Sequence, residues 1–336
     1  MSLIDKAQLY PLKFAPIYKD KMWGGNQMGP VLNRKLPELT DPIGESWEIV
    51  DRSDEQSIVS EGELAGITLA ELVKNYGRDL VGSQFQGGRF PLLVKIIDAG
   101  KRLSLQVHPD RNVCAEIGEG AEPKTEMWYI MGALPNAQIM AGLKSKTTRQ
   151  QVMDNLTSAD VEKCLQIFPS IPGDAYFISS GTIHAIGEGN LLLEIQQSSD
   201  TTYRVSDWGR VDSNGNPREL HVDQAIKSIH FTDRTSPRIS GVYGSADRNR
   251  KYPVINHCPF FIVDDLRLVD ELPETTAPGK SFHMLTAINH PIKVGNLSFN
   301  TILHPGETCL IPACFGQYKL TPIEPGESTV IRTTLQ

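Results

Sequence analysis

The sequence is short of several things. No run of 18 uncharged apolar residues occurs in its 336 positions, and the opening stretch through Trp23 lacks the apolar core of a secretory signal. A soluble, cytoplasmic chain with no membrane partner is expected. The five cysteines (Cys114, Cys164, Cys258, Cys309, Cys314) are odd in number, scattered and never spaced C-x-x-C. They supply neither a disulfide framework nor a thiolate zinc site, so any metal must take nitrogen and oxygen ligands. There is no long basic run, and 33 Lys and Arg against 40 Asp and Glu leave a net charge of −7. A nucleic acid would find no electrostatic footprint.

What remains is ordinary globular material: 40% hydrophobic and 22% charged residues, with length enough for two or three domains. Short runs of β-branched, aromatic and leucine residues dominate, among them Phe90 to Ile97, Leu103 to Val107, Met127 to Met131, Leu191 to Ile195 and Phe260 to Leu266. Gly, Pro, Asn and Asp punctuate them, which predicts a mainly β, antiparallel architecture. Two segments break the pattern. Thr68-Leu-Ala-Glu71 is a capping box followed by Leu72, Val73 and Tyr76 at helical spacing, and Gly77 closes it. Between Ser145 and Phe168 apolar residues recur at helical intervals around a turn expected at Thr157 to Asp160, which predicts two short inserted helices.

An internal repeat organises the chain. Pro172 to His184 aligns without gaps on Pro305 to Gln317, and Lys124 to Ile130 matches Lys280 to Thr286 more weakly. A Pro-Gly-Asp or Pro-Gly-Glu turn, a strand, a corner of small residues and then a His resembles the second motif of the cupins. Two jelly-roll β-barrels follow from that likeness. The expected boundaries are a first barrel at 1–143 and 169–235, a helical insert at 144–168 and a degenerate second barrel at 236–336.

Strand side chains alternate faces, so Gln106 and His108 can approach one ion together. Glu126 opens the next strand and His184 ends the repeated motif. These four make a candidate metal site of two imidazoles, a carboxylate and an amide oxygen. The set suits zinc most naturally, with nickel, cobalt or manganese also possible. In the second copy Gln317 aligns with His184 and Phe282 with Glu126. One barrel with ligand types and one without is the pattern of a single functional site on a duplicated scaffold. A second cluster runs from Asp200 through Arg204 to Arg210, where a permanently charged guanidinium together with Lys124 suits an anionic substrate that exchanges protons.

Trp23-Gly-Gly, Gly44-Glu-Ser-Trp47, Leu103 to Asp110, Lys124-Thr-Glu126, Gly181 to Gly187 and Asp200 to Arg204 together resemble the type I mannose-6-phosphate isomerases, in their shorter bacterial branch. The resemblance implies zinc on Gln106, His108, Glu126 and His184, a catalytic Arg204 with Asp200 and Lys124 beside it, and a sugar pocket touching Trp23, Glu45, Ser104 and Glu194. It also implies interconversion of mannose 6-phosphate and fructose 6-phosphate through a cis-enediol, with the phosphate meeting Arg204, Arg210 or Lys95, in a monomer or weak homodimer. Long members carry a His where this chain has Pro123, and Thr-Pro-Lys where it reads Asp207-Trp-Gly-Arg210, so Arg210 stands in for that lysine's charge. Two other readings are a metal-dependent cupin dioxygenase, which Gln106 in place of a His argues against, and a non-catalytic sugar-binding double cupin.

Overall fold

A computed structural model describes residues 9–118, 120–157, 160–211, 215–232, 235–242 and 247–336. Its strands form four antiparallel sheets arranged as two pairs. In the first pair, a seven-stranded sheet orders Arg238–Ile239, Ala175–Ile178, Glu126–Ala133, Asn190–Gln197, Leu92–Ala99, Ile43–Ile49 and Ile17–Asp20. It faces a five-stranded sheet ordered Tyr203–Ser206, Leu105–Val107, His184–Ile186, Gln138–Leu143 and Leu165–Pro169. The second pair repeats the plan. Its six-stranded sheet orders Leu12–Lys13, Thr308–Ile311, His283–Ala287, Ser328–Thr334, Ile262–Leu268 and Arg250–Ile255. Its four-stranded sheet orders Leu272–Thr275, Gln317–Pro322, Ile292–Gly295 and Asn300–Leu303. Two strands cross over: Leu12–Lys13 joins the second barrel and Arg238–Ile239 the first.

Alternation assigns each large sheet two apolar faces. In Glu126–Ala133, Trp128 and Ile130 point into the first barrel beside Ile97, Tyr176 and Leu192. Met127 and Tyr129 point the other way, into a cluster that Val94, Ile96, Leu191 and Leu193 share with Phe282, Met284, Leu310 and Ile331 of the second barrel. Each such side chain, fully buried, contributes about 1.5–3 kcal/mol, so the barrels are joined chiefly by apolar burial. The five-stranded sheet is covered on its outer face by the helices Arg149–Thr157 and Val222–Ser228, through Val152, Ala225 and Ile226. Among the described residues no helix is long and apolar enough to cross a membrane.

The capping box forms with both reciprocal hydrogen bonds, but the helix it opens runs Leu69–Val81. The chain kinks at Gly77 (φ 43°, ψ −111°) rather than stopping there, because Leu80 and Val81 are fully buried beyond it. The second helix expected before Phe168 is a correction. Val161–Cys164 is a single 3-10 turn, and Leu165–Pro169 is a strand that pairs with Gln138–Leu143, with Phe168 opposite Ile139. Its residues alternate between faces, which a sheet edge satisfies and a helix does not. The turn expected at Thr157 to Asp160 lies partly outside the described residues.

Candidate metal centre

The two sheets of the first barrel bring Gln106, His108, Glu126 and His184 into its interior. Gln106 and His184 are direct cross-strand partners, and Glu126 arrives from the opposite sheet. His108 Nε2 stands 3.4 Å from Glu126 Oε2, and His184 Nε2 stands 3.4 Å from Glu126 Oε1. Gln106 Nε2 lies 3.3 Å from His184 Nε2. A half-turn of that amide exchanges Nε2 for Oε1, the atom that can ligate a cation.

Both imidazoles are oriented by the backbone: Nδ1 of His108 bonds the Thr201 carbonyl at 2.9 Å, and Nδ1 of His184 the Thr182 carbonyl at 2.8 Å. Each ring therefore carries its proton on Nδ1 and turns the Nε2 lone pair inward. Burial pushes His184 down to about 3, and burial together with the Lys124 ammonium holds His108 below its usual range, so both rings are neutral. Burial alone would push Glu126 up, but the ammonium of Lys124, 2.8 Å from Oε2, followed by His108, holds the carboxyl well below its usual range.

Neutral imidazoles beside an ionised carboxylate are the protonation states a divalent ion requires. His108 Nε2 and both Glu126 oxygens are buried with no hydrogen-bond donor aligned on them among the described residues. Apart from the Lys124 ammonium against Oε2, nothing among the described residues satisfies these buried acceptors; leaving them so is costly, and a cation would satisfy all three at once. The atoms of His108, Glu126 and His184 lie within 4.8 Å of one another, so the residues fit a metal ion.

The remaining expected residues fall around this centre in graded fashion. Ser104 Oγ is 3.5 Å from Gln106 Oε1. One row across the large sheet, Lys95 Nζ lies 3.5 Å from Glu194 Oε1 and 5.0 Å above the Trp47 ring, and Trp128 donates its Nε1 proton to Glu194 at 2.9 Å. Burial and the nearby Glu126 carboxylate push Glu194 up. Burial opposes the Lys95 charge, but Glu45 and Glu194 outweigh it and raise the ammonium's proton affinity, and exposed Asp200 is close enough to add to this. Glu45 accepts from Trp47 Nε1 at 2.7 Å; burial would raise its carboxyl, but Lys95 and Lys21 hold it low. Trp23 is buried in the barrel's inner core with Ile97 and Leu103.

Arg204 pairs in register with Gln106, which places both on the inner face. Arg210 does not present a free charge. Its Nη2 bonds Asp207, its Nη1 the carbonyl of Arg102 and its Nε the Asp207 carbonyl at 3.2 Å. The motif reading gives no place to Trp128, whose ring meets His184 edge-on at 5.3 Å, nor to Arg218, which shares Asp207 with Arg210. Trp128 could have been found from its position two after Glu126 on the same strand face. Arg218 carries no such signal.

The second barrel corrects two alignments. Glu126 pairs with Ile178, and the equivalent Ile311 pairs with His283, so His283 rather than Phe282 is the counterpart of Glu126. Phe282 faces the shared core between the barrels. The corner after Ile311 is one residue longer, so buried Tyr318 rather than exposed Gln317 occupies the place of His184. His283 Nδ1 and the Tyr318 hydroxyl are hydrogen-bonded at 2.6 Å.

Fold and site together define a two-barrel protein with a candidate cation centre in one barrel. Residues 11–126 match the family described as phosphomannose isomerase type I, catalytic domain. The mannose-6-phosphate isomerase ManA of Bacillus subtilis is 33% identical over 311 residues, covering 92% of this chain and 95% of that protein. The mannose-6-phosphate isomerase of Streptococcus mutans is 41% identical over 206 residues, covering 61% of this chain and 63% of its own. A crystal structure of the mannose 6-phosphate isomerase from Bacillus subtilis superposes with a TM-score of 0.84 at 30% identity, covering 97% of this chain and 99% of that one. The chain belongs to the type I mannose-6-phosphate isomerase family and is an isomerase.

Proposed function

We propose that the chain is a zinc-dependent aldose–ketose isomerase that interconverts mannose 6-phosphate and fructose 6-phosphate through a cis-enediol. The first barrel is the catalytic unit, and the second, built from Leu12–Lys13 and the strands from Arg250 to Thr334, carries no reaction. The observation that supports this most directly is the set of buried, unsatisfied acceptors on His108 and Glu126 within reach of His184. Two nitrogens, a carboxylate and the Gln106 amide oxygen would hold the ion, and zinc suits that donor set. When bound, zinc supplies Lewis-acid charge that offsets the negative charge of the enediolate.

The chain's own groups do the rest. Isomerisation moves the C2 proton to a base while the C1 carbonyl electron pair moves onto oxygen. The proton then returns to C1 as the hydroxyl proton passes from O2 to O1 and C2 becomes the carbonyl. Atoms balance without a redox cofactor. Lys124, with Nζ 2.8 Å from Glu126, or Asp200 at the mouth carries the proton, and Lys124 can act as the base only after its ammonium has given up a proton. Lys95, Glu45, Ser104, Glu194 and Trp23 would meet the sugar, whose hydroxyls the paired buried charges are suited to hydrogen-bond. Arg204 meets the phosphate, bidentate guanidinium geometry being matched to phosphate oxygens.

Incubation of the protein with mannose 6-phosphate in deuterated water, followed by NMR, tests the reading. Fructose 6-phosphate should form, with deuterium entering at the exchanging carbon. A chelator should abolish this and added zinc should restore it. Turnover that survives complete metal removal would overturn zinc dependence.

A further inference from the structure

Arg204 is held on three sides by one short segment. Its backbone N–H donates to His221 Nδ1 at 3.2 Å, the His221 N–H donates to its carbonyl at 2.8 Å, and its Nη1 donates to the Glu219 carbonyl at 2.8 Å. With Nη1 engaged, the guanidinium keeps its Nε and Nη2 edge for a ligand. Nε is buried and has no hydrogen-bond partner among the described residues. A fixed fork of two donors fits two oxygens of a phosphate.

The segment that does the holding is itself tied down next door. Arg218 donates through Nε to Asp207 Oδ2 at 2.8 Å and through Nη2 to Oδ1 at 2.5 Å. Asp207 is 6% exposed and also receives Arg210, which reaches on to the Arg102 carbonyl. Trp208 donates its Nε1 proton to the Leu103 carbonyl at 2.7 Å. Arg102 and Leu103 lead directly into Ser104 and Gln106.

We propose that Arg218 and Asp207 form a buckle that positions Arg204, so that its Nε and Nη2 edge is preset for the substrate's phosphate. Neither buckle residue touches the phosphate; both are positioning residues. The inference rests on the proposed sugar-phosphate reading for the identity of the anion, and extends it to two residues of no previously assigned role. Charge alone makes the opposite forecast. Two guanidiniums, of Arg210 and Arg218, bond one buried carboxylate near Arg204, and deleting that negative charge should draw an anion in more tightly.

The experiment is a calorimetric titration of the metal-loaded protein with inorganic phosphate, alongside steady-state kinetics on mannose 6-phosphate. Asp207→Asn and Arg218→Lys are the variants, with melting temperature and metal content as fold controls. Arg218→Lys keeps the charge but loses the fork. The buckle requires both to weaken phosphate binding and raise KM about tenfold with kcat within about threefold, the signature of lost binding shared by ground and transition states. It also requires Arg218→Lys to have almost no further effect once Arg204→Ala is present. Tighter phosphate binding by Asp207→Asn, unchanged binding by Arg218→Lys, or full additivity with Arg204→Ala would each overturn it. If the unmodified protein fails to turn over mannose 6-phosphate, the functional reading falls. The phosphate titration still decides the buckle, and absence of phosphate binding to the unmodified protein would overturn it too.

Discussion

An imidazole ligates a cation only when neutral and only through a nitrogen whose lone pair is free. His108 and His184 meet the first condition by burial and the second by giving Nδ1 to the carbonyls of Thr201 and Thr182. Arg204 stands across from Gln106 but contributes no ligand atom. The two kinds of residue should therefore separate in one experiment. His184→Ala should lose bound zinc and activity together, whereas Arg204→Ala should keep full zinc stoichiometry while activity falls about a hundredfold or more, measured by metal analysis and initial rates. Retained zinc in His184→Ala would remove it from the ligand set. The inward-facing donors were legible in the sequence because period-two alternation places Gln106 with His108 on one strand. The orienting carbonyls of Thr201 and Thr182 were not, since any residue has one and only the fold aims it. Arg218 was invisible for a related reason: it reaches Asp207 by the path of a loop, not by a spacing.

Elements hold these groups through their corners more than through their strands. Gly181 sits in the turn before the His184–Ile186 strand with φ +86°, donates its N–H to the His108 carbonyl at 2.8 Å and accepts from the His230 N–H at 2.9 Å. A Cβ there would lie 2.4 Å from the His230 ring, whose Nε2 is 2.9 Å from Asp110. The glycine thus lets the segments that carry His108 and His184 and the end of the Val222–Ser228 helix close on each other. Gly181→Ala should destabilise the protein by about 1–3 kcal/mol through backbone strain alone, read from denaturant unfolding, and should weaken zinc retention on dialysis. An unchanged unfolding midpoint would mean that the corner relaxes freely. Elements were legible where one force acted and misread where two competed. Alternation identified the strands through Met127 and Leu191. At Gly77 the stop signal lost to the burial of Leu80 and Val81, and at Leu165–Pro169 apparent helical spacing lost to an open sheet edge.

The two barrels share one plan, and their inner rows answer each other with the charges exchanged. In the first, Lys95 pairs across the sheet with Glu194; at the same register in the second, Asp264 faces Arg332, which donates to it at 2.6 Å and to Glu274 at 2.6 Å. Glu274, opposite Tyr318, takes the place of Gln106, opposite His184. The Glu126–His184 pair becomes His283–Tyr318, held by a hydrogen bond where the first barrel gathers unsatisfied acceptors. In the second interior the counterpart groups thus bond one another, which gives that barrel a titration of its own. Burial, followed by the charge of Arg332, pushes His283 down to about 3, against about 6.5 for an unfolded histidine. Between those values the unfolded chain binds a proton that the native chain refuses. The stabilisation is therefore complete above about pH 6.5 and is lost progressively as pH falls toward 3. The melting temperature of the zinc-loaded protein should drop between about pH 7 and about pH 4.5, and His283→Gln, which keeps a partner for the Tyr318 hydroxyl without titrating, should drop less steeply. Parallel profiles for the two proteins would place the acid sensitivity elsewhere. A shallower profile would show that the histidine standing in for the metal-centre carboxylate ties the stability of the second barrel to pH.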